Sequence, residues 1–219
     1  PCTTYFARKL REKQPGLKIV YGGPGAHFTR IDKDVASGLA DVAVYGEGEI
    51  TALEVVEAIG KGITDFSQMN GVIAKSPDGA VLKPPMRANS NMEQLPIPDF
   101  DDLDLRLYGK RHLPIMMSRG CVAKCTFCAE VRFWHKFRMR SALHIVEEIK
   151  HGLRHYDIDG FAVNDSLING NMKILEDFVE IMDEQDVWTH WGGYARVDKR
   201  LTRELLDRMY KTGCRHLSF

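Results

Sequence analysis

The stretch Ser118-Arg119-Gly120-Cys121-Val122-Ala123-Lys124-Cys125-Thr126-Phe127-Cys128 places three thiols within eight residues, spaced C-x3-C-x2-C. The chain carries five cysteines in 219 residues, so chance rarely gathers three this closely, and the cluster asks for a chemical reason. A structural zinc site wants four ligands, usually as two separated pairs. Here there is no second pair: Cys2 and Cys214 are isolated, and His135 is the one nearby imidazole available to complete such a site. A closed 4Fe–4S electron carrier also wants four thiolates. Three thiolates on such a cluster leave one iron with an open position, which is what catalysis needs. A non-catalytic iron–sulfur or zinc binding module is the competing reading.

On either side of the cysteines the pattern alternates between short apolar strands and amphipathic helices. Residues 114–117 read as a strand running straight into the cysteine loop. Residues 141–156 are amphipathic, with Leu143, Ile145, Val146 and Ile149 on one side. A strand at 160–163, a helix at 172–185, a strand at 187–194, a helix at 201–212 and a strand onset at His216 follow. This series of β/α units predicts the first half of a (β/α) barrel with its helices outside, the cysteine loop at the C-terminal end of the first strand, where barrel enzymes place their chemistry.

Toward the N-terminus, Tyr5, Phe6 and Leu10 recur at helical spacing over residues 3–13, and Gln14-Pro15-Gly16 ends that helix. Strands are expected at 17–21 and 41–45, and helices at 32–37 and 50–59. Gly22-Gly23-Pro24-Gly25 stops the first strand and Gly46-Glu47-Gly48-Glu49 the second. The rhythm is that of an open, Rossmann-like parallel α/β sheet, which binds ligands at the C-terminal edge of its strands. Glycine there lets a ligand approach the backbone, although it also serves plain tight turns, and Glu47 and Glu49 suit the first turn of a helix. Between the two regions lies a hairpin at 71–83 around Ser76-Pro77-Asp78-Gly79, and six of the nine prolines fall between Pro77 and Pro114, which reads as a linker. The expected division is residues 1–62, a Pro-rich linker with a hairpin at 63–112, and 113–219.

Composition excludes some functions. Hydrophobic residues are 44% of the chain, enough for a packed core. Lys+Arg 30 against Asp+Glu 30 argues against nonspecific nucleic-acid binding, and no apolar run is long enough for a membrane span. With no leader-like start, and thiols held ready for a metal, a reducing cytoplasmic setting is expected. The chain opens at Pro1-Cys2-Thr3-Thr4 and stops in the strand-like Cys214-Arg215-His216-Leu217-Ser218-Phe219, which reads as an internal piece of something longer.

At the cysteines the sequence resembles the radical SAM superfamily, whose motif is C-x3-C-x-aromatic-C after the first barrel strand; Phe127 supplies the aromatic. The resemblance implies a 4Fe–4S cluster on Cys121, Cys125 and Cys128. S-adenosylmethionine would be chelated by the fourth iron and cleaved to a 5′-deoxyadenosyl radical. It implies an electron donor such as flavodoxin or ferredoxin and a small-molecule or natural-product substrate. Arg138 to Lys150 looks like the family's first barrel helix. Phe161-Ala162-Val163-Asn164-Asp165 looks like its second strand, with Asn164 or Asp165 placed to accept from the ammonium of S-adenosylmethionine. A cap or turn is the plain alternative for that pair. Arg196 would face the substrate or the carboxylate of S-adenosylmethionine, or else make a surface salt bridge.

Upstream, KIVYGGPGAHF and ADVAVYGEGEITALEVVEAI resemble the cobalamin-binding domain of one radical SAM subgroup. That implies a corrinoid laid across Gly22, Gly23, Pro24, Gly46, Glu47, Gly48 and Glu49. The fold expected is therefore the C-terminal part of a cobalamin-binding domain followed by half a radical SAM barrel. A cobalt-ligating loop would precede Pro1, and His27 reads as a loop residue. Arg132, His135, Lys136, Arg138 and Arg140, interleaved with Phe133, Trp134 and Phe137, read as a solvated face or a phosphate-holding surface. Trp188, Trp191 and Tyr194 read as barrel filling, the nine methionines as core, and Cys2 and Cys214 as small buried hydrophobes.

Overall fold

Val42-Ala43-Val44 is buried on both of its faces, so the strand it forms must lie inside a sheet and not at its margin. The computed structural model describes residues 2–28 and 31–219, which leaves Pro1 outside, and the chain divides into two units, Pro1–Ser90 and Asn91–Phe219. In the first unit α1 (Cys2–Lys13), β1 (Val20–Tyr21), α2 (Pro24–Phe28), α3 (Asp32–Ala36), β2 (Val42–Val44), α4 (Glu49–Gly60), β3 (Val72–Lys75) and β4 (Val81–Leu82) follow in order. β1 and β2 run parallel, Val20 opposite Val42. β3 is antiparallel to β2, Val44 opposite Val72, and β4 is antiparallel to β3.

Two expectations change here. The sheet is mixed and not wholly parallel, and the 71–83 hairpin completes it instead of lying in a linker. The reason is burial: Val72, Ile73 and Ala74 are as deeply buried as β2 and need a neighbour on each face. Alternate residues serve the two faces. Val42, Val44, Val72 and Ala74 pack with Val55 of α4, while Ala43, Tyr45 and Ile73 pack with Ala7 of α1 and Val35 of α3. His27 lies in α2 and not in a loop. Cys2 is exposed, contrary to expectation.

The second unit contains β5 (His112–Ile115), β6 (Ser118–Arg119), α5 (Glu130–Trp134), β7 (Arg138–Met139), α6 (Ala142–His155), β8 (Gly160–Val163), α7 (Met172–Glu184), β9 (Trp191–Tyr194), α8 (Arg203–Lys211) and β10 (Cys214–Ser218). β5 is parallel to β8, His112 opposite Gly160, and β9 is parallel to β10. A parallel bridge from Gly160 to His190 and the bond from Phe161 N–H to the His190 carbonyl (2.7 Å) join β8 to β9. The spatial order is thus β5, β8, β9, β10, successive parallel strands separated by helices. Pro114 sits in β5, whose other edge has no paired strand among the described residues, as a residue without an N–H requires.

Leu113, Ile115, Phe161, Val163 and Trp191 face the helices and pack with Ile145, Ile149, Leu175, Phe178 and Met209. Trp191 meets Phe178 edge to face, so it fills the helix side and not the concave side of the strands. Trp188 and Tyr194 are exposed. Side-chain caps start the helices: Ser141 accepts from His144 N–H, Asn171 from Ile174 N–H and Thr202 from Leu205 N–H. Residues from Asn91 onward belong to this unit. Glu93 accepts from the amide and hydroxyl of Ser141, and Phe100 N–H donates to the Tyr156 hydroxyl (2.9 Å). The segment expected as a linker is therefore shared out, the hairpin to the first unit and the proline stretch to the second.

Candidate active site

β5 ends at Ile115, and three residues later the chain enters a short antiparallel ribbon, Ser118 opposite Met139 and Arg119 opposite Arg138. That ribbon closes the base of a loop spanning 120–137, which holds all three clustered thiols and α5. Gly120 is the pivot. Its φ is +82°, and a Cβ there would stand 2.9 Å from the Lys136 carbonyl oxygen, so both backbone conformation and space require glycine just before Cys121. Arg119 lies over the Trp134 ring, 5.1 Å from its centroid, and Phe133 is buried edge-on to Trp134.

Cys121 and Cys128 are half-buried and Cys125 is exposed; all three are free thiols. Ala123 N–H points at the Cys121 sulfur (3.4 Å), and Cys128 N–H closes a turn on the Cys125 carbonyl (3.1 Å). Phe127 is 91% exposed, at the tip of the loop. Among the described residues no three His, Cys, Asp or Glu side chains gather around one point as the ligands of a single ion would.

The end of β8 divides its two polar residues by strand alternation. Asn164 is exposed and lines a cavity of about 260 Å³ with Arg119, Arg140, Glu148, Met116 and Phe100. Asp165 points the other way. It is 2% exposed, accepts from Met117 N–H (2.8 Å) and from the Ser118 hydroxyl, and burial pushes its carboxyl up to about 6 against the pull of those donors. Its carboxylate is thus engaged at the entry of β6. Arg196 is exposed and is not among the residues that line that cavity. Its backbone is held by buried Asn169, which donates to the Arg196 carbonyl (2.8 Å) and accepts its N–H (3.0 Å).

The basic run is not one face. Arg132, His135 and Lys136 are exposed, whereas Arg140 is buried, paired with buried Glu148 of α6, and donates to the Met116 carbonyl (3.1 Å). Sequence reasoning missed that pair. The available signal was an acidic residue inside the apolar stripe of α6 formed by Ala142, Ile145, Ile149 and Gly152.

In the first unit the two glycine turns follow adjacent parallel strands and so share one sheet edge. Gly23 has φ +80° and Gly46 +79°. A Cβ on Gly22, Gly23 or Gly25 would meet nothing within 4 Å, so bare backbone faces open space there; Pro24 begins α2. Gly46 is packed under the Met86 sulfur. Gly48 is the N-cap of α4, Glu49 its first residue, and Glu47 accepts from Ser90 N–H (2.8 Å). The first turn is therefore open, and the second is covered by Met86.

No family model matches the chain. Among known proteins it is 30% identical over 218 aligned positions to an anaerobic magnesium-protoporphyrin IX monomethyl ester cyclase of Rubrivivax gelatinosus, covering 95% of this chain and 39% of that protein. It is 27% identical to a cytidylyl-2-hydroxyethylphosphonate methyltransferase of Streptomyces wedmorensis, over 82% of this chain and 40% of the other. The chain thus spans about two-fifths of the length of these relatives. The fold matches the cobalamin-dependent S-adenosylmethionine radical enzyme OxsB, solved with aqua-cobalamin and S-adenosylmethionine, at TM-score 0.74 and 18% identity, over 97% of this chain and 32% of that one. It also matches the radical S-adenosylmethionine methyltransferase TsrM of Kitasatospora setae, solved with cobalamin and a [4Fe-4S] cluster, at TM-score 0.67 and 18% identity, over 98% of this chain and 43% of that one. The relatives are thus a cyclase and a methyltransferase, and the chain shares its fold with cobalamin-dependent radical SAM enzymes.

Proposed function

We propose that the whole protein is a cobalamin-dependent radical SAM enzyme that carries out methyl transfer or radical cyclisation on a small-molecule or natural-product substrate. The observation that carries this reading is the set of three free thiols on one loop after the first of several parallel strands, with no fourth cysteine beside them. Cys121, Cys125 and Cys128 would hold a 4Fe–4S cluster. When bound, that cluster supplies one electron to cleave S-adenosylmethionine and so generate a 5′-deoxyadenosyl radical.

This chain's own residues have narrower tasks. Gly120 and the β6–β7 ribbon fix where the first thiol stands. Asn164 offers an amide at the rim of the cavity beside Arg119, suited to a zwitterionic amino-acid moiety. The bare turn at Gly22, Gly23 and Pro24, with Gly46 to Glu49 beside it, would carry the corrinoid. Electrons would come from a flavodoxin- or ferredoxin-type donor.

Two measurements on the full-length protein test the cofactor set. Anaerobic reconstitution is expected to give about four irons per chain in the wild type and a large loss in Cys125→Ala. One zinc and no iron would overturn the reading. Titration with hydroxocobalamin is expected to saturate at one corrinoid per chain. A flat titration would leave a radical SAM enzyme whose first domain only docks substrate.

A further inference from the structure

The loop that carries the thiols has a narrow base. Its ends meet in the two-residue ladder of β6 and β7, and Cys125, Thr126 and Phe127 are exposed. Three thiols that must address one cluster need firmer placement than such a loop supplies alone.

Two further anchors come from the segment between β8 and α7. At the entry to the loop, Asp165 accepts hydrogen bonds from Met117 N–H and the Ser118 hydroxyl, which tie the start of β6 to the end of β8. At the exit, the half-buried ring of Phe137 lies on Gly170. A Cβ on Gly170 would stand 2.4 Å from the ring Cζ and 2.6 Å from Cε2. Gly170 does not have a left-handed φ, so glycine is needed there for space and not for backbone conformation. The segment is itself fixed. Asn169 clamps the Arg196 backbone, Ile168 N–H donates to the Tyr194 carbonyl (2.9 Å), and Asn171 caps α7.

We propose that the β8–α7 segment sets the geometry of the cysteine loop, Asp165 holding the chain where it enters and Gly170 seating Phe137 where it leaves. Both are positioning residues for the three thiols. The assignment rests on the cluster reading for its purpose, while the mechanical clamp stands on contacts that need no cluster.

The test uses the full-length protein with Asp165→Ala, Asp165→Asn, Gly170→Ala, and Gly170→Ala combined with Phe137→Leu. Alkylation rates of Cys121, Cys125 and Cys128 are followed by mass spectrometry in the metal-free protein. Iron content and the electron paramagnetic resonance spectrum are then recorded after reconstitution, with circular dichroism as the check on fold. In folded Asp165→Ala and Gly170→Ala, the half-buried Cys121 and Cys128 are expected to react about threefold faster or more, as local opening is made easier. The cluster is expected to load less fully and with an altered spectrum. Asp165→Asn is expected to lie nearer the wild type, because its amide oxygen still accepts from Met117. Phe137→Leu is expected to reverse part of the Gly170→Ala effect. Unchanged alkylation and unchanged spectra in the folded variants would overturn the proposal. If Asp165→Ala does not fold, the Gly170 pair decides, and absence of rescue counts against the clamp. Should the wild type take up no iron while the alkylation pattern still shifts, the cluster reading fails and the clamp stands.

Discussion

Glu148→Ala is expected to destabilise the second unit by about 3–5 kcal/mol, because it leaves the Arg140 guanidinium buried with its counter-charge gone. Both side chains are only 8% exposed, and the water that could replace the carboxylate would have to come from the cavity that both of them line. The remaining bonds from Arg140, to the Met116 carbonyl and to the ring nitrogen and carbonyl of His144, pair a charge with dipoles and do not neutralise it. Replacing both partners by Met and Leu is expected to recover most of the loss, the usual outcome when a buried ion pair becomes apolar. Urea unfolding followed by tryptophan fluorescence checks this, since Trp134, Trp188 and Trp191 all belong to the second unit. Equal stability of Glu148→Ala and the wild type would show that the pair is hydrated in solution.

Gly213→Ala is the other large effect. Gly213 links α8 to β10 with φ +105°, and a Cβ there would stand 1.8 Å from the Thr189 carbonyl oxygen. The obstacle is backbone, held by the run into β9, so no side-chain rotation relieves it. The expected cost is more than about 4 kcal/mol, combining backbone strain with a displaced strand. Gly23→Ala is the matched control, because its φ of +80° carries similar strain but nothing lies within 4 Å. Its cost is expected to be about 1–2 kcal/mol. Similar losses of thermal stability in the two variants would contradict the part assigned to the Thr189 contact.

The sequence made the second unit largely legible, because its strands and helices obey clean periods and its helices begin at Ser141, Asn171 and Thr202, good capping residues. The three-thiol motif was legible for the same local reason: spacing is read directly from the chain. What escaped depends on contacts between distant segments. Asp165 and Asn164 are neighbours in sequence, but strand alternation sends one to the interior and the other to the cavity, and the register of β8 on β5 decides which. The hairpin at Val72–Lys75 and Val81–Leu82 looked self-contained until its pairing with β2 made it part of a mixed sheet. Gly170 showed nothing in sequence, since its reason is the ring of Phe137. Arg140 read as part of a solvated basic run because Glu148, its partner, lies on the next helix.

The proposed function requires Cys121, Cys125 and Cys128 to hold the centre that cleaves S-adenosylmethionine. The direct measurement is 5′-deoxyadenosine formed when anaerobically reconstituted full-length protein is given S-adenosylmethionine and a strong reductant, beside the Cys125→Ala variant. The account predicts product from the wild type and essentially none from the variant. Absence of product from a wild-type protein shown to be loaded with iron and sulfide, or equal product from the two proteins, would contradict it.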